Sequence, residues 1–107
     1  MNSRIYMLAL HGYIVGSYAA QLSGIYGGDE EPNDIDIIIR PEHWNKVFMM
    51  LPQRKDFTKL GGVRFTIGGQ TVDVWPQTLE NYLTTAYADG GPIVAHDLIN
   101  KISYHRK

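Results

Sequence analysis

Two aspartates, Asp34 and Asp36, open an apolar run that reads Asn33-Asp34-Ile35-Asp36-Ile37-Ile38-Ile39. Alternate side chains of a strand share a face, so both carboxylates project the same way. Side by side they repel each other. A hard divalent cation such as Mg²⁺, which takes oxygen ligands, relieves that repulsion. Asp-x-Asp also arises by chance on a solvated strand edge, so position matters. Here the acids stand at the entry of the strand and the apolar run follows. A third acid, Asp73, lies in Thr71-Val72-Asp73-Val74-Trp75. Asp is disfavoured within strands. With Val72 and Val74 facing a core, Asp73 faces the open side. If its strand pairs near Asp34–Arg40, the three carboxylates converge.

A second pattern precedes the acids. Val15-Gly16-Ser17 reads as strand, glycine, serine, helix. Glycine lets a ligand approach the backbone closely. Free N–H groups at a helix start favour phosphate, and the Ser17 hydroxyl adds a donor. The same three residues also fit an ordinary tight turn with Ser17 as the N-cap.

The patterning of the chain supplies elements to hold these groups. Residues 3–11 fit a short helix with Ile5, Leu8 and Ala9 on one face. Tyr13-Ile14-Val15 is a short β-type run, and a helix with Tyr18, Gln21 and Leu22 follows. Residues 24–33 read as a loop. In the strand Asp34–Arg40, the residues Ile35, Ile37 and Ile39 point one way, and Asp34, Asp36, Ile38 and Arg40 the other. Pro41 stops it and starts a helix over Glu42–Leu51, where Trp44, Val47, Phe48 and Leu51 form a stripe. Val63–Ile67 and Thr71–Trp75 alternate on either side of Gly68-Gly69, a hairpin signal. Thr78–Ala86 reads as a helix with Leu79, Tyr82 and Leu83 buried, and Val94–Ile102 as a last short helix. The order is α-β-α-β-α-β-β-α-α. This is an α/β or α+β domain, with a small mixed sheet flanked by helices.

Composition narrows the class. The chain has 107 residues, enough for one domain with a modest core but not two. It has no cysteine, so disulfides and thiolate metal sites are excluded. Ten Lys and Arg against eleven Asp and Glu leave a formal charge of −1, unlike a dedicated nucleic-acid binder. No apolar run approaches the roughly 20 residues of a membrane span. The Ile5–Leu10 stretch is too short for a secretory signal. A cytoplasmic location is expected.

Taken together, Val15-Gly16-Ser17, then Asp34-Ile35-Asp36-Ile37, then Asp73 on a later strand, the sequence resembles the polymerase-beta-type nucleotidyltransferase superfamily over roughly residues 13–76. The string Asn-Asp-Ile-Asp-Ile is similar to that of its small antibiotic-modifying and toxin–antitoxin-associated members. The resemblance implies a minimal nucleotidyltransferase fold. It also implies metal-assisted transfer of a nucleoside monophosphate from an NTP, such as ATP, to an acceptor hydroxyl. Asp34 and Asp36 would bind two Mg²⁺ ions, with Mn²⁺ as a substitute. Asp73 would share the metal next to the acceptor and help deprotonate its hydroxyl, and Gly16 and Ser17 would hold the β/γ-phosphates. The acceptor, a small molecule, a protein or RNA, is left open. No Lys or Arg falls between Ser17 and Asp34, where Asp29, Glu30 and Glu31 stand instead. Arg40, on the face of Asp34 and Asp36, is the candidate phosphate ligand, with Arg64 in reserve. A protein partner or second copy is expected to complete the site.

Two other functions use the same residues. One is a non-catalytic nucleotide- or protein-binding module, antitoxin-like or a regulatory subunit, which the acidic Asp29–Glu31 loop favours. The other is a metal-dependent phosphodiester hydrolase. His11, His43, His96 and His105 show no zinc spacing, and Ser17 lacks a Ser-His-Asp context. Trp44, Phe48, Met49 and Met50 read as core. Trp75, on the Asp73 side of its strand, reads as packing first and base stacking second. Tyr13, Tyr18, Tyr26, Tyr82, Tyr87 and Tyr104 are scattered, and some would suit an oligomer interface. The tail Lys101, His105, Arg106, Lys107 reads as a solvated terminus before a flap over the site.

Overall fold

The run Ile35–Ile39 has too many β-branched residues to lie at an edge, and it becomes the middle of a sheet. The computed structural model describes residues 2–25, 28, 30–86 and 93–106. In chain order it contains α1 (Ser3–Ala9), β1 (Gly12–Val15), α2 (Gly16–Leu22), β2 (Asp34–Ile39), a 3₁₀ turn (Pro41–His43) and α3 (Trp44–Phe48). Then come β3 (Asp56–Phe57), β4 (Val63–Ile67), β5 (Gln70–Pro76), α4 (Leu79–Thr85), β6 (Val94–Asp97) and β7 (Ile102–His105). The strands form one seven-stranded sheet in the order β3-β4-β5-β2-β1-β6-β7. The β2–β5 pair is parallel and the others are antiparallel, so the sheet is mixed as expected.

The two faces of the sheet are covered unequally. Ile35, Ile37 and Ile39 join Ile5 and Leu8 of α1, Tyr18 and Ala19 of α2 and Val47 of α3 in the larger core. On the opposite face Ile38 packs with Val15, Ala95, Ile93 and Tyr82 of α4. Asp36 shares this second face, where, among the described residues, the smaller core involves one helix. The open remainder of that face is where the acids lie.

The β4–β5 hairpin forms as its sequence requires: Gly68 and Gly69 have φ of 56° and 81°, the left-handed pair of a tight hairpin turn. Thr78 caps α4 by accepting the Asn81 N–H. Three expectations are corrected. Val94–Ile102 is not a helix but a hairpin of β6 and β7. Asp97 folds the connection, its Oδ1 accepting the N–H groups of Ile99 at 2.9 Å and Asn100 at 3.1 Å. Val94 and Ala95 are fully buried, and β6 pairs with β1. Such a short apolar run suits either element, and a vacant sheet edge decides it. The helix expected over Glu42–Leu51 shortens to the 3₁₀ turn and α3, which leaves Met49 85% exposed rather than in the core. The tail is not a flap over the acids; Lys101, His105 and Arg106 are exposed, as the solvated reading expects, but the segment is ordered. It forms β7, and the Arg106 guanidinium donates to the carbonyls of Leu83 and Ala86 at the end of α4. A cation there satisfies carbonyls that the helix leaves unpaired. Among the described residues, no helix is long and apolar enough to cross a membrane. Tyr26, Gly27, Asp29, Tyr87, Gly90, Gly91 and Lys107 lie outside the described residues.

Candidate active site

Strand register sets one residue of each strand in a row across the sheet: Asp56, Arg64, Asp73, Asp36, Val15, Ala95 and Tyr104, from β3 to β7. Direct cross-strand neighbours share a face. The row is apolar where α4 packs and charged where the face is open. Asp36 stands at the boundary, directly opposite Asp73, with adjacent strands about 4.8 Å apart. The expected convergence of β2 and β5 is therefore present for this pair. Asp34 pairs with Thr71, two positions before Asp36 on the same face, and is exposed.

The electrostatics follow from the register. Burial, then the negative charges of Asp73 and Asp34, push the Asp36 carboxyl up to about 6; a hydrogen bond with Asp73 also favours its protonated form. Arg64 opposes this. Its Nε donates to Asp73 Oδ1 at 2.8 Å and a terminal nitrogen to Asp73 Oδ2 at 3.3 Å, a two-pronged pair. Arg64 is thus the cation at the acids. Arg40, the sequence candidate, is not brought there. It follows β2, four residues beyond Asp36 and roughly 13 Å further along the strand. Its guanidinium lies 5.0 Å from the Tyr13 ring centroid and donates to the Tyr13 hydroxyl at 3.3 Å.

Gly16 belongs with the acids. Its φ is +74°, and a Cβ there would lie 2.7 Å from Asp36 Oδ2. The position therefore demands glycine twice, by backbone conformation and by the approach of the carboxylate. The Gly16 N–H points at the Tyr82 phenol oxygen; burial, then Asp36, push that phenol up, and the Gly16 N–H opposes them. Ser17 is exposed and is not the N-cap. Helix α2 already includes Gly16, its N-cap is Val15, and no side-chain cap hydrogen bond forms there. The left-handed Gly16 turns the chain tightly enough to start the helix one residue early.

Asp36 and Asp73 fit a hard divalent cation in one respect: two oxygen-bearing side chains face one another with too little positive charge between them. Beyond that pair, among the described residues, no group of three or more His, Asp or Glu is set to hold a metal ion. Asp34 would have to turn inward, and Arg64 would have to release at least one oxygen of Asp73.

Beside the acids opens a cleft of about 580 Å³, lined by Asp36, Asp73, Arg64 and Trp75 and by Asp56 to Leu60. The sequence assigns no role to Asp56–Leu60 and places Tyr82 only in a buried set. A two-residue strand is too short to show a period. The usable signal was Gly61-Gly62 ahead of Val63, a turn with nothing assigned before it.

The other Ser/His grouping is structural. Ser23 donates its only hydroxyl proton to the Ala19 carbonyl at 2.7 Å. It therefore accepts from Ser103 at 2.6 Å, whose oxygen accepts the His96 Nδ1–H at 2.8 Å. His96 is a donor in this chain, not a base, and the chain ties β6 and β7 to α2. His11 and His43 bring their Nδ1 atoms to 3.2 Å. Burial, then His43, Lys46 and Arg40, hold His11 below its ordinary value. Comparison with known protein families, curated proteins and solved structures finds no match to this chain.

Proposed function

We propose that the chain is a metal-dependent nucleotidyltransferase that moves a nucleoside monophosphate from an NTP to an acceptor hydroxyl. The observation that carries this reading is the placement of Asp36 and Asp73 opposite each other on adjacent strands, with the Gly16 backbone against the Asp36 carboxylate. Asp36 and Asp73, joined by Asp34, would hold Mg²⁺ or Mn²⁺. When bound, the metal activates the attacking oxygen and stabilises the departing pyrophosphate. The acceptor oxygen forms a bond to the α-phosphorus and the α–β phosphoanhydride breaks. Its electron pair leaves with pyrophosphate, and the hydroxyl proton passes to a carboxylate, assigned to Asp73. Gly16 and the exposed Ser17 border the acids on the β1 side, where the triphosphate would lie. Arg64, whose side chain is exposed, neutralises Asp73 until the metal and phosphates arrive.

Incubation with labelled NTPs, Mg²⁺ or Mn²⁺ and candidate acceptors tests the reading. Wild type should release pyrophosphate and label an acceptor, and Asp36→Ala should abolish both. Equal behaviour of the two proteins across nucleotides and metals would remove the enzymatic reading. One observation favours a second reading, a non-catalytic nucleotide-binding module: Arg64 occupies both oxygens of Asp73. Calorimetric binding of NTP with Mg²⁺, without turnover, would select it.

A further inference from the structure

Helix α1 and the segment after α3 leave a groove on the larger-core side of the sheet, the side away from Asp36 and Asp73. Arg4, Met7 and Leu8 of α1 line it with Met50, Pro52 and Ile67. Leu8, Met50 and Ile67 continue into the larger core, yet Met7 is 52% exposed. The surface extends past Pro52. The Pro52 carbonyl accepts from Lys55 Nζ at 2.9 Å, and the same ammonium lies 5.1 Å from the Phe48 ring centroid. Phe57 stacks on Phe48, with centroids 6.3 Å apart and planes at 22°, and is 77% exposed. Alternate residues of a strand take opposite faces. Asp56 pairs with Arg64 on the side of the acids, so its charge is turned away from Phe57. Neither Arg4 nor Lys55 forms an ion pair among the described residues. This side of the molecule thus offers water an apolar strip with unpaired cations beside it.

We infer that this groove docks an acidic amphipathic helix of a partner protein, its apolar stripe laid along Met7 and Met50 toward Phe57 and its carboxylates set against Arg4 and Lys55. The charge of the surface selects an acidic occupant. The volume, about 190 Å³, falls below the roughly 300 Å³ at which small-molecule pockets begin, so it seats an anchoring side chain rather than a metabolite. The groove is walled by side chains and exposes no strand edge. An occupant finds no row of backbone groups to pair with and must satisfy its own, as a helix does. Methionine is unbranched and polarizable, which lets such a wall fit the anchor it receives. Apolar side chains outnumber cations here, the reverse of a groove that tracks phosphates. Because the acids lie on the other side of the sheet, this assignment is independent of the proposed function.

Selection of a displayed library of random helical peptides against the full chain tests the site. Enriched peptides should carry apolar residues at i, i+3 or i+4 and i+7, with Asp or Glu beside them. The strongest, synthesised and titrated by fluorescence anisotropy, should bind Met7→Glu at least about 10-fold more weakly than wild type, as for loss of an anchor contact. Arg4→Glu should weaken it at least about twofold, and a peptide whose acids are changed to Lys should recover that loss on Arg4→Glu. Arg4 and Met7 are both exposed on α1, and glutamate is a good helix former, so the fold is kept. A selection without binders overturns the site, as do binders that lack acids or ignore Met7→Glu. An oligo(dT) strand or a phosphatidylserine vesicle that displaces the peptide, and that itself binds Met7→Glu poorly, gives the surface to nucleic acid or membrane and overturns the helix.

Discussion

Asp36→Asn should stabilise the metal-free protein at neutral pH while removing its function. The Asp36 carboxyl is pushed from 3.8 up to about 6. The folded state therefore holds this proton more tightly than the unfolded chain does. The contribution of Asp36 to stability is greatest below about pH 4 and falls as pH rises through about 6. At 1.36 kcal/mol per pH unit, a shift of about two units corresponds to about 3 kcal/mol. Asp36 is partly solvated, so screening reduces this, and about 1–3 kcal/mol is expected. The amide keeps the shape, removes the charge and can donate to Asp73. Urea denaturation in EDTA, at intervals from pH 4 to pH 8, measures both proteins. Subtracting one curve from the other cancels the titration of groups that Asp36 does not touch. The two proteins should be close at pH 4, and the variant should be more stable by about 1–3 kcal/mol at pH 8. In a domain of this size that is a Tm rise of at least about 5 °C. A difference that does not change with pH, or a variant less stable than wild type at pH 8, would refute the electrostatic account of the site.

Three further outcomes are expected. Gly16→Ala should lower stability by at least about 1 kcal/mol for the left-handed backbone alone, with more from the Asp36 contact. Repeating it in an Asp36→Ala background should recover only the second part, a difference that a double-mutant cycle isolates. Tyr82→Phe removes the oxygen at which the Gly16 N–H points, and should cost about 1 kcal/mol in urea denaturation. Ser103→Ala breaks the chain from His96 to Ser23 and should cost about 1–2 kcal/mol, with faster amide exchange in β7 as a local readout.

Much of this geometry was legible because it depends on alternation. The sequence Asp34-Ile35-Asp36-Ile37 places its acids and its isoleucines on opposite faces whatever the strand pairs with. Gly68-Gly69 between two alternating runs leaves little but a hairpin. Arg40 misled for the same reason. Sharing a face with Asp36 is a statement about parity, and four residues of strand carry a side chain away from a partner on the same face. Arg64 is distant in sequence from Asp36, yet the order β4-β5-β2 places it beside the acids. Strand order depends on long-range pairing, which no local pattern encodes. The β6–β7 hairpin is not legible in the sequence, because Val94-Ala95 is apolar and short and only the edge of β1 makes it a strand.

The position of Asp36 at the edge of the smaller core explains why one carboxylate can be both costly and useful. Helix α4 buries Val15, Ile38 and Ala95 on one side of it, which removes water from the carboxylate. On the other side the face is open, which gives a ligand access. A fully buried acid would stay protonated and bind no cation; a fully exposed one would gain little from a cation that water could not supply. Between these limits, on the proposed function, a divalent cation that binds the pair would return stability that the metal-free fold loses to the Asp36–Asp73 repulsion. Added Mg²⁺ should then stabilise wild type more at pH 8 than at pH 5, where it must displace the Asp36 proton. It should do little for Asp36→Asn at either pH. Equal stabilisation of both proteins would mean that the cation binds elsewhere, and that Asp36 and Asp73 are neighbours by register alone.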